Sequence, residues 1–295
     1  MREIRVGCRG SRLSLIQTDI VLNRLRSTYT DVKFSIITIK TSNELMDRSR
    51  VNDTVKDIYT KEIDDALKAG RIDIAVHSLK DVKIDLDNDL SIAAIPDRDD
   101  PRDIFISKNS THFEDIGSGS PIGTSSIRRK VLLAELNPKA SFVDIHGNVD
   151  TRIDKMRSGE VDGIVLAAAG VKRLQTDIKF DYFDVDKVVP AIGQGALAVI
   201  ARKGESDIIE MLSTINIESL MSEIEAERSF GRFFGVGCKY PIGANARYNN
   251  GRIDIVGFVY DERSGKVYIR KRSGSSSDPE SLGIELAEDV SAARG

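Results

Sequence analysis

Two α/β lobes followed by a small α+β domain are the fold this sequence predicts, and three observations predict it. Short apolar runs alternate with amphipathic stretches of helical period over the first two thirds of the chain. That alternation breaks at "PDRDDPRD", residues 96–103, where two prolines and dense charge leave no periodicity. The last third changes character, to a helix, a glycine-rich turn, three strand patterns and a final helix.

The elements follow in order. "IRVGC" reads as a strand, "SLIQTDIVLNRLRS" as a helix and "KFSIITIK" as a strand. "TKEIDDALKAG" reads as a helix stopped at Gly70, and "RIDIAVHS" and "LSIAAIP" as strands. Strand–helix alternation of this kind predicts a largely parallel sheet. Beyond the boundary, "IFISK", "PIGTS", "SFVDIHG" and "GIVLAAAG" read as strands, with helices starting near Ser125, Asn148 and Gly170. "VVPAIGQGALAVIA", residues 188–201, is apolar but carries Pro190, Gly193 and Gly195, and reads as a crossover back to the first lobe. "DIIEMLSTINIESLMSEIEAERSFGRFF" is helical. Three strands follow, with turns at Asn249-Asn250-Gly251 and around Ser264-Gly265, then a helix from Asp278-Pro279 to Ala293. The expected division is residues 1–98 with 195–214, residues 99–194, and residues 215–295.

Composition narrows the function. The chain has 295 residues, 40% of them hydrophobic and 30% charged, with a net charge of −3. That suits a globular protein and argues against a basic nucleic-acid-binding surface. The opening "MREIRVGCRGSRLSL" lacks the apolar run of a signal peptide, and no apolar stretch is long enough to span a bilayer. A cytoplasmic protein without membrane or nucleic-acid partners is expected. The two cysteines, Cys8 and Cys238, form no metal-ligand spacing, so no metal is expected. Cys8 lies in an apolar strand and reads as core. Cys238 lies among Gly235, Gly237, Pro241 and Gly243, where a thiol can be approached.

Cations recur where strands hand over to helices. "CRGSR", "HSLKD", "GTSSIRR", "HGNVDTR" and "AGVKR" place Arg9, Arg12, Lys80, Arg128, Arg129, Arg152, Lys172 and Arg173 at such junctions. Open α/β sheets bind ligands at the carboxyl ends of their strands. In "GTSSIRR", Ser125 or Ser126 is the N-cap, so Arg128 and Arg129 fall at the start of a helix, where the dipole disfavours cations. One such junction reads as a solvated surface; five read as a polyanion pocket between two lobes, with Arg suited to carboxylate or phosphate. Asp81, after Lys80, is either a cap or salt-bridge partner or a group able to stabilise a developing cation. His77 reads as a hydrogen-bonded core residue. Nucleotide-binding glycine motifs and nucleophile elbows are absent.

Taken together, "HSLKDV" (77–82), "DDPRDIFIS" (99–107), "GTSSIRR" (123–129), "HGNVDTR" (146–152), "AAAGVKRL" (167–174), "PAIGQGA" (190–196), "AER" (226–228) and "GCKYPIGANA" (237–246) resemble the porphobilinogen deaminase (hydroxymethylbilane synthase) family in order and over nearly the whole chain. The resemblance implies two doubly wound lobes like those of periplasmic binding proteins, and a third domain carrying the cysteine. It implies a transferase of tetrapyrrole biosynthesis that joins four porphobilinogen molecules head to tail with loss of ammonia. It also implies a dipyrromethane cofactor held by a thioether to Cys238, and a monomer. Carried over by motif, Asp81 is the catalytic residue. Ser78, Lys80, Asp81, Thr124, Ser126, Arg128, Arg129 and Gly147 contact the cofactor, and Arg9, Arg152, Arg173, His146, Tyr59 and Gln194 the substrate. His146 stands where the family usually has Arg, Tyr59 where it has Phe, and "TSNE" (41–44) where it has Gly-Asp. Two other classes are weighed: a solute-binding module, which gives Cys238 no task, and an anion or nucleic-acid binder, which the acidic net charge disfavours.

Overall fold

The computed structural model describes residues 3–40, 60–235 and 241–294. The chain divides into two compact units, Met1–Arg98 with Ala196–Ser222, and Asp99–Gly195 with Glu223–Gly295.

The first unit is built on β1 (Glu3–Arg9), α1 (Arg12–Thr28), β2 (Lys33–Ile39), α2 (Lys61–Lys68), β3 (Ile74–Ser78), β4 (Leu90–Ala94), β10 (Leu197–Arg202) and α6 (Ser206–Ser213). Ser11 starts α1 by accepting a hydrogen bond from the Ser14 N–H. The spacing of Val21, Leu22 and Leu25 then turns one face of α1 onto Val6, Ile74, Val76 and Val199 of the sheet. Cys8 is fully buried in β1, as its apolar neighbours predict.

Strand order is β2-β1-β3-β10-β4. β1 runs parallel to β2 and β3, while β10 runs antiparallel to both its neighbours. The sheet is therefore mixed: β1, β2, β3 and β4 run one way, as a largely parallel sheet requires, and β10 alone is reversed. A parallel neighbour needs a crossover that returns the chain to the same end of the sheet. β10 is delivered by the 188–196 segment and enters from the opposite end.

The second unit repeats the plan with β5 (Asp103–Ser107), β6 (Pro121–Gly123), α3 (Ile127–Leu136), β7 (Ser141–Val143), α4 (Val149–Arg157), β8 (Gly163–Ala167), α5 (Ala168–Arg173) and β9 (Asp181–Tyr182). Its order is β7-β6-β8-β5-β9, with β6 parallel to β7 and β8, and β5 antiparallel to β8 and β9. Two expected strands are shorter than their apolar runs. "GIVLAAAG" changes to helix after Ala167, because alanine favours helix over strand. "SFVDIHG" stops at Val143, and Ser125 Oγ takes over the Ile145 backbone, donating to its carbonyl (2.9 Å) and accepting from its N–H (3.1 Å).

This unit also holds a small sheet-and-helix domain: α7 (Glu218–Phe233, from Glu223 onward), β11 (Ile242–Asn249), β12 (Arg252–Asp261), β13 (Lys266–Ser275) and α8 (Pro279–Arg294). The three strands form an antiparallel meander. The Asn250-Gly251 turn sits in the left-handed region at both residues (φ 48° and 83°), as a two-residue hairpin requires. Val256 and Phe258 of β12 pack with Phe105, Phe113 and Val189 in one core.

Candidate active site

In the first unit, candidate residues collect at the carboxyl end of the sheet. β3 ends at Ser78, and one 3-10 turn, Leu79–Asp81, follows. Leu79 is buried and its N–H donates to the Ala196 carbonyl (3.0 Å), so the turn hangs from the start of β10. Lys80 and Asp81 are half-buried on that turn. The Ser78 hydroxyl accepts from Gln17 Nε2 (2.8 Å) and can return a hydrogen bond to Gln17 Oε1 (3.1 Å). The parallel register Val6↔Ile74 and Gly7↔Ala75 continues toward Arg9 at the end of β1, alongside His77.

His77 is core, as expected, but its Nε2 makes no hydrogen bond among the described residues. It lies 3.7 Å from Oδ1 of Asp64 on α2, and that oxygen is likewise without a hydrogen bond. Burial, with the Arg9 charge adding to it, pushes the imidazole down to about 4. Burial pushes Asp64 up to about 6. Sequence reading missed this pair, since Asp64 looks like one more charge on a polar helix face.

In the second unit, the arginines of "GTSSIRR" turn inward. Ser126 is the N-cap of α3, its Oγ facing the Arg129 N–H, while Ser125 serves Ile145. Thr124 is buried and its Oγ1 accepts from the Ser126 N–H (3.3 Å). Arg128 and Arg129 are buried, not exposed at a helix start, and both pair with Asp103 at the head of β5. Arg128 Nη2 donates to Asp103 Oδ2 (2.6 Å) and its Nη1 to the Val189 carbonyl. Arg129 donates through Nε (3.1 Å) and Nη2 (2.7 Å) to Asp103 Oδ1, and through Nη1 to the Val165 carbonyl (2.9 Å). Gln194 Nε2 completes the carboxylate's shell, donating to Oδ1 (2.9 Å) and to the Pro101 carbonyl (2.7 Å). Burial alone would raise the Asp103 pKa; the two guanidiniums reverse that and hold it far below the usual carboxylate range.

Asp103, at the centre of this network, is the residue that sequence reading passed over. It lies in "DDPRDIFIS", and the available signal was an acid opening an otherwise apolar strand. Gln194, expected to contact substrate, gives two hydrogen bonds from its Nε2 to this network.

The remaining candidates sit around the same unit. Gly147 has φ 122°, and a Cβ there would come within 2.9 Å of Thr151, so the turn needs glycine. Its carbonyl accepts from Arg152 Nε (2.7 Å), and half-buried His146 precedes it. Arg173 is buried and donates to the Gly195 carbonyl (2.8 Å), while Lys172 pairs with Asp99 (2.7 Å). Gly243 of β11 closes against this region: a Cβ there would lie 2.5 Å from the Pro190 carbonyl oxygen and 3.2 Å from Arg128 Cδ. Tyr59, the 41–44 segment and Cys238 lie outside the described residues. Among the described residues no cluster of His, Cys, Asp and Glu could hold a metal, and no helix is long and apolar enough to cross a membrane.

Comparison with known proteins gives this arrangement a family. The model "Porphobilinogen deaminase, dipyromethane cofactor binding domain" matches residues 4–210, and "Porphobilinogen deaminase, C-terminal domain" matches residues 221–292. The porphobilinogen deaminase of Thermus thermophilus is 41% identical over 98% of this chain and 96% of its own length. The probable porphobilinogen deaminase of Nitrosopumilus maritimus is 39% identical over 97% of this chain and 92% of its own. Among solved structures, a probable amino-acid ABC transporter extracellular-binding protein from Bacillus subtilis aligns with a TM-score of 0.44 at 14% identity, covering 76% of this chain and 94% of that one. Both family models match in order, and the relatives align along nearly their whole length. The chain belongs to the porphobilinogen deaminase family.

Proposed function

We propose that this chain condenses four porphobilinogen molecules head to tail, releasing ammonia at each addition, to give hydroxymethylbilane. It does so on a dipyrromethane primer joined through a thioether to Cys238, as a monomeric, cytoplasmic enzyme. One observation carries the reading: two buried guanidiniums share a single carboxylate, leaving one positive charge uncompensated beside N–H groups that are not all spent. A buried surplus cation is costly alone and favourable against an anion.

The residues present fit a dipyrromethane on that count, because its acetate and propionate groups are carboxylates. When bound, the group supplies a pyrrole position to which the first substrate unit is added. Arg128 and Arg129 hold carboxylate. Ser78, Thr124, Ser126 and Lys80 add hydroxyl and ammonium donors, and the Gly147 backbone allows close approach. Arg9, Arg152, Arg173, His146 and Tyr59 take the side chains of incoming substrate. Asp81 stabilises the cationic substrate formed as ammonia departs and can accept hydrogen bonds from pyrrole N–H groups. Cys238 acts as a nucleophile once and afterwards as an anchor.

The test is turnover of porphobilinogen with ammonia counted against substrate consumed. The reading requires one ammonia for each porphobilinogen. Binding without ammonia release would leave a solute-binding protein instead.

A further inference from the structure

Asp103 holds three candidate site residues at once, Arg128, Arg129 and Gln194. It is fully buried, and its two oxygens accept four hydrogen bonds, from Arg128, Arg129 and Gln194. The guanidiniums would repel each other without it. With it, they form one unit of net charge +1. Arg128 spends two of its N–H groups on protein acceptors and Arg129 three. Each guanidinium carries five such groups, so both retain donors. The hydrogen bonds of Arg128 to protein run through Nη1 and Nη2, whereas Arg129 Nε is committed to Asp103.

We infer that Asp103 is a positioning residue for the reaction, gripping Arg128 and Arg129 from one side so that the pair is fixed in place and takes one carboxylate of the bound pyrrole chain on its remaining donors. This rests on the function proposed above. The grip is made entirely by groups of the protein, so the cost of ordering two long side chains and bringing two cations together is met by the fold. One carboxylate on one surplus charge leaves the assembly neutral.

The test compares wild type, Asp103→Asn and Asp103→Glu after incubation with porphobilinogen. Asp103→Glu keeps the charge but moves the grip by one methylene. A positioning role predicts that adduct occupancy, read by intact mass on protein shown to be folded by circular dichroism, falls at least tenfold in Asp103→Asn. It also predicts a clear fall in Asp103→Glu, which a purely charge-balancing role would leave at the wild-type level. A second measurement needs no change at Asp103. The Nε–H exchange of Arg128 and Arg129 is followed by NMR in loaded wild type and in adduct-free Cys238→Ala. Arg129 should be protected in both, and Arg128 should slow about tenfold or more on loading. Full loading of folded Asp103→Asn, or an Arg128 exchange rate indifferent to loading, would overturn the inference. Absence of adduct from wild type itself would strike the function proposed above.

Discussion

The buried pair Asp64 and His77 makes a prediction about pH that neither residue makes alone. Asp64 is raised from 3.8 to about 6 and His77 lowered from 6.5 to about 4. For Asp64, the contribution is full below its unfolded value and is lost as pH rises through about 6. For His77, it is full above 6.5 and is lost as pH falls through about 4. Each shift exceeds two units, which corresponds to about 3 kcal/mol at 1.36 kcal/mol per unit. The slopes are opposite and nearly cancel between pH 4 and 6.5. Asp64→Asn removes one and leaves the other, so stability should rise by about 3 kcal/mol from pH 4 to 6.5 relative to wild type. His77→Gln should show the mirror image, a fall of similar size across the same range. Lys68, Lys83 and Asp87 around Asp64, and Arg9 beside His77, remain in all three proteins. Their effects therefore drop out of the differences. The assay is urea denaturation followed by circular dichroism at half-unit pH steps. Stability curves for the two variants that run parallel to wild type would refute the reasoning.

Other positions give sharper single outcomes. Asp81→Asn should keep a covalent adduct and lose most turnover, checked by intact mass beside an ammonia assay; normal turnover would remove Asp81 from its role. Ser125→Ala strips both hydrogen bonds from the Ile145 backbone and should cost about 1–3 kcal/mol in thermal or urea denaturation. Gly195→Ala places a Cβ 2.3 Å from the Asp99 carbonyl oxygen at φ 87°, so the backbone that accepts from Arg173 must shift. Its melting temperature should drop by several degrees, and an unchanged one would contradict the close packing described.

Local signals account for what was legible in the sequence. Period and punctuation gave most elements of both units and the hairpin at Asn250-Gly251, because turn chemistry acts over a few residues. The antiparallel placement of β10 and β5 was not legible, since it depends on which end of a sheet a distant crossover reaches. The clustering of Ser78, Lys80 and Asp81 followed from their adjacency in one motif. The clasp of Asp103 on Arg128 and Arg129 spans 25 residues and more of sequence, and no local pattern announces it. The same holds for Asp64 and His77, where a charge on a helix proves to be buried only once the helix is packed. In both cases the sequence named one partner and missed the counter-group.

The central claim is that Cys238 carries the primer. Intact-protein mass spectrometry after incubation with porphobilinogen tests it most directly, with Cys238→Ser beside the wild type. The account predicts added mass of about two pyrrole units, localised to the peptide containing Cys238 and missing as a normal thioether from the variant. Wild-type protein that stays at the mass of its bare sequence would contradict it.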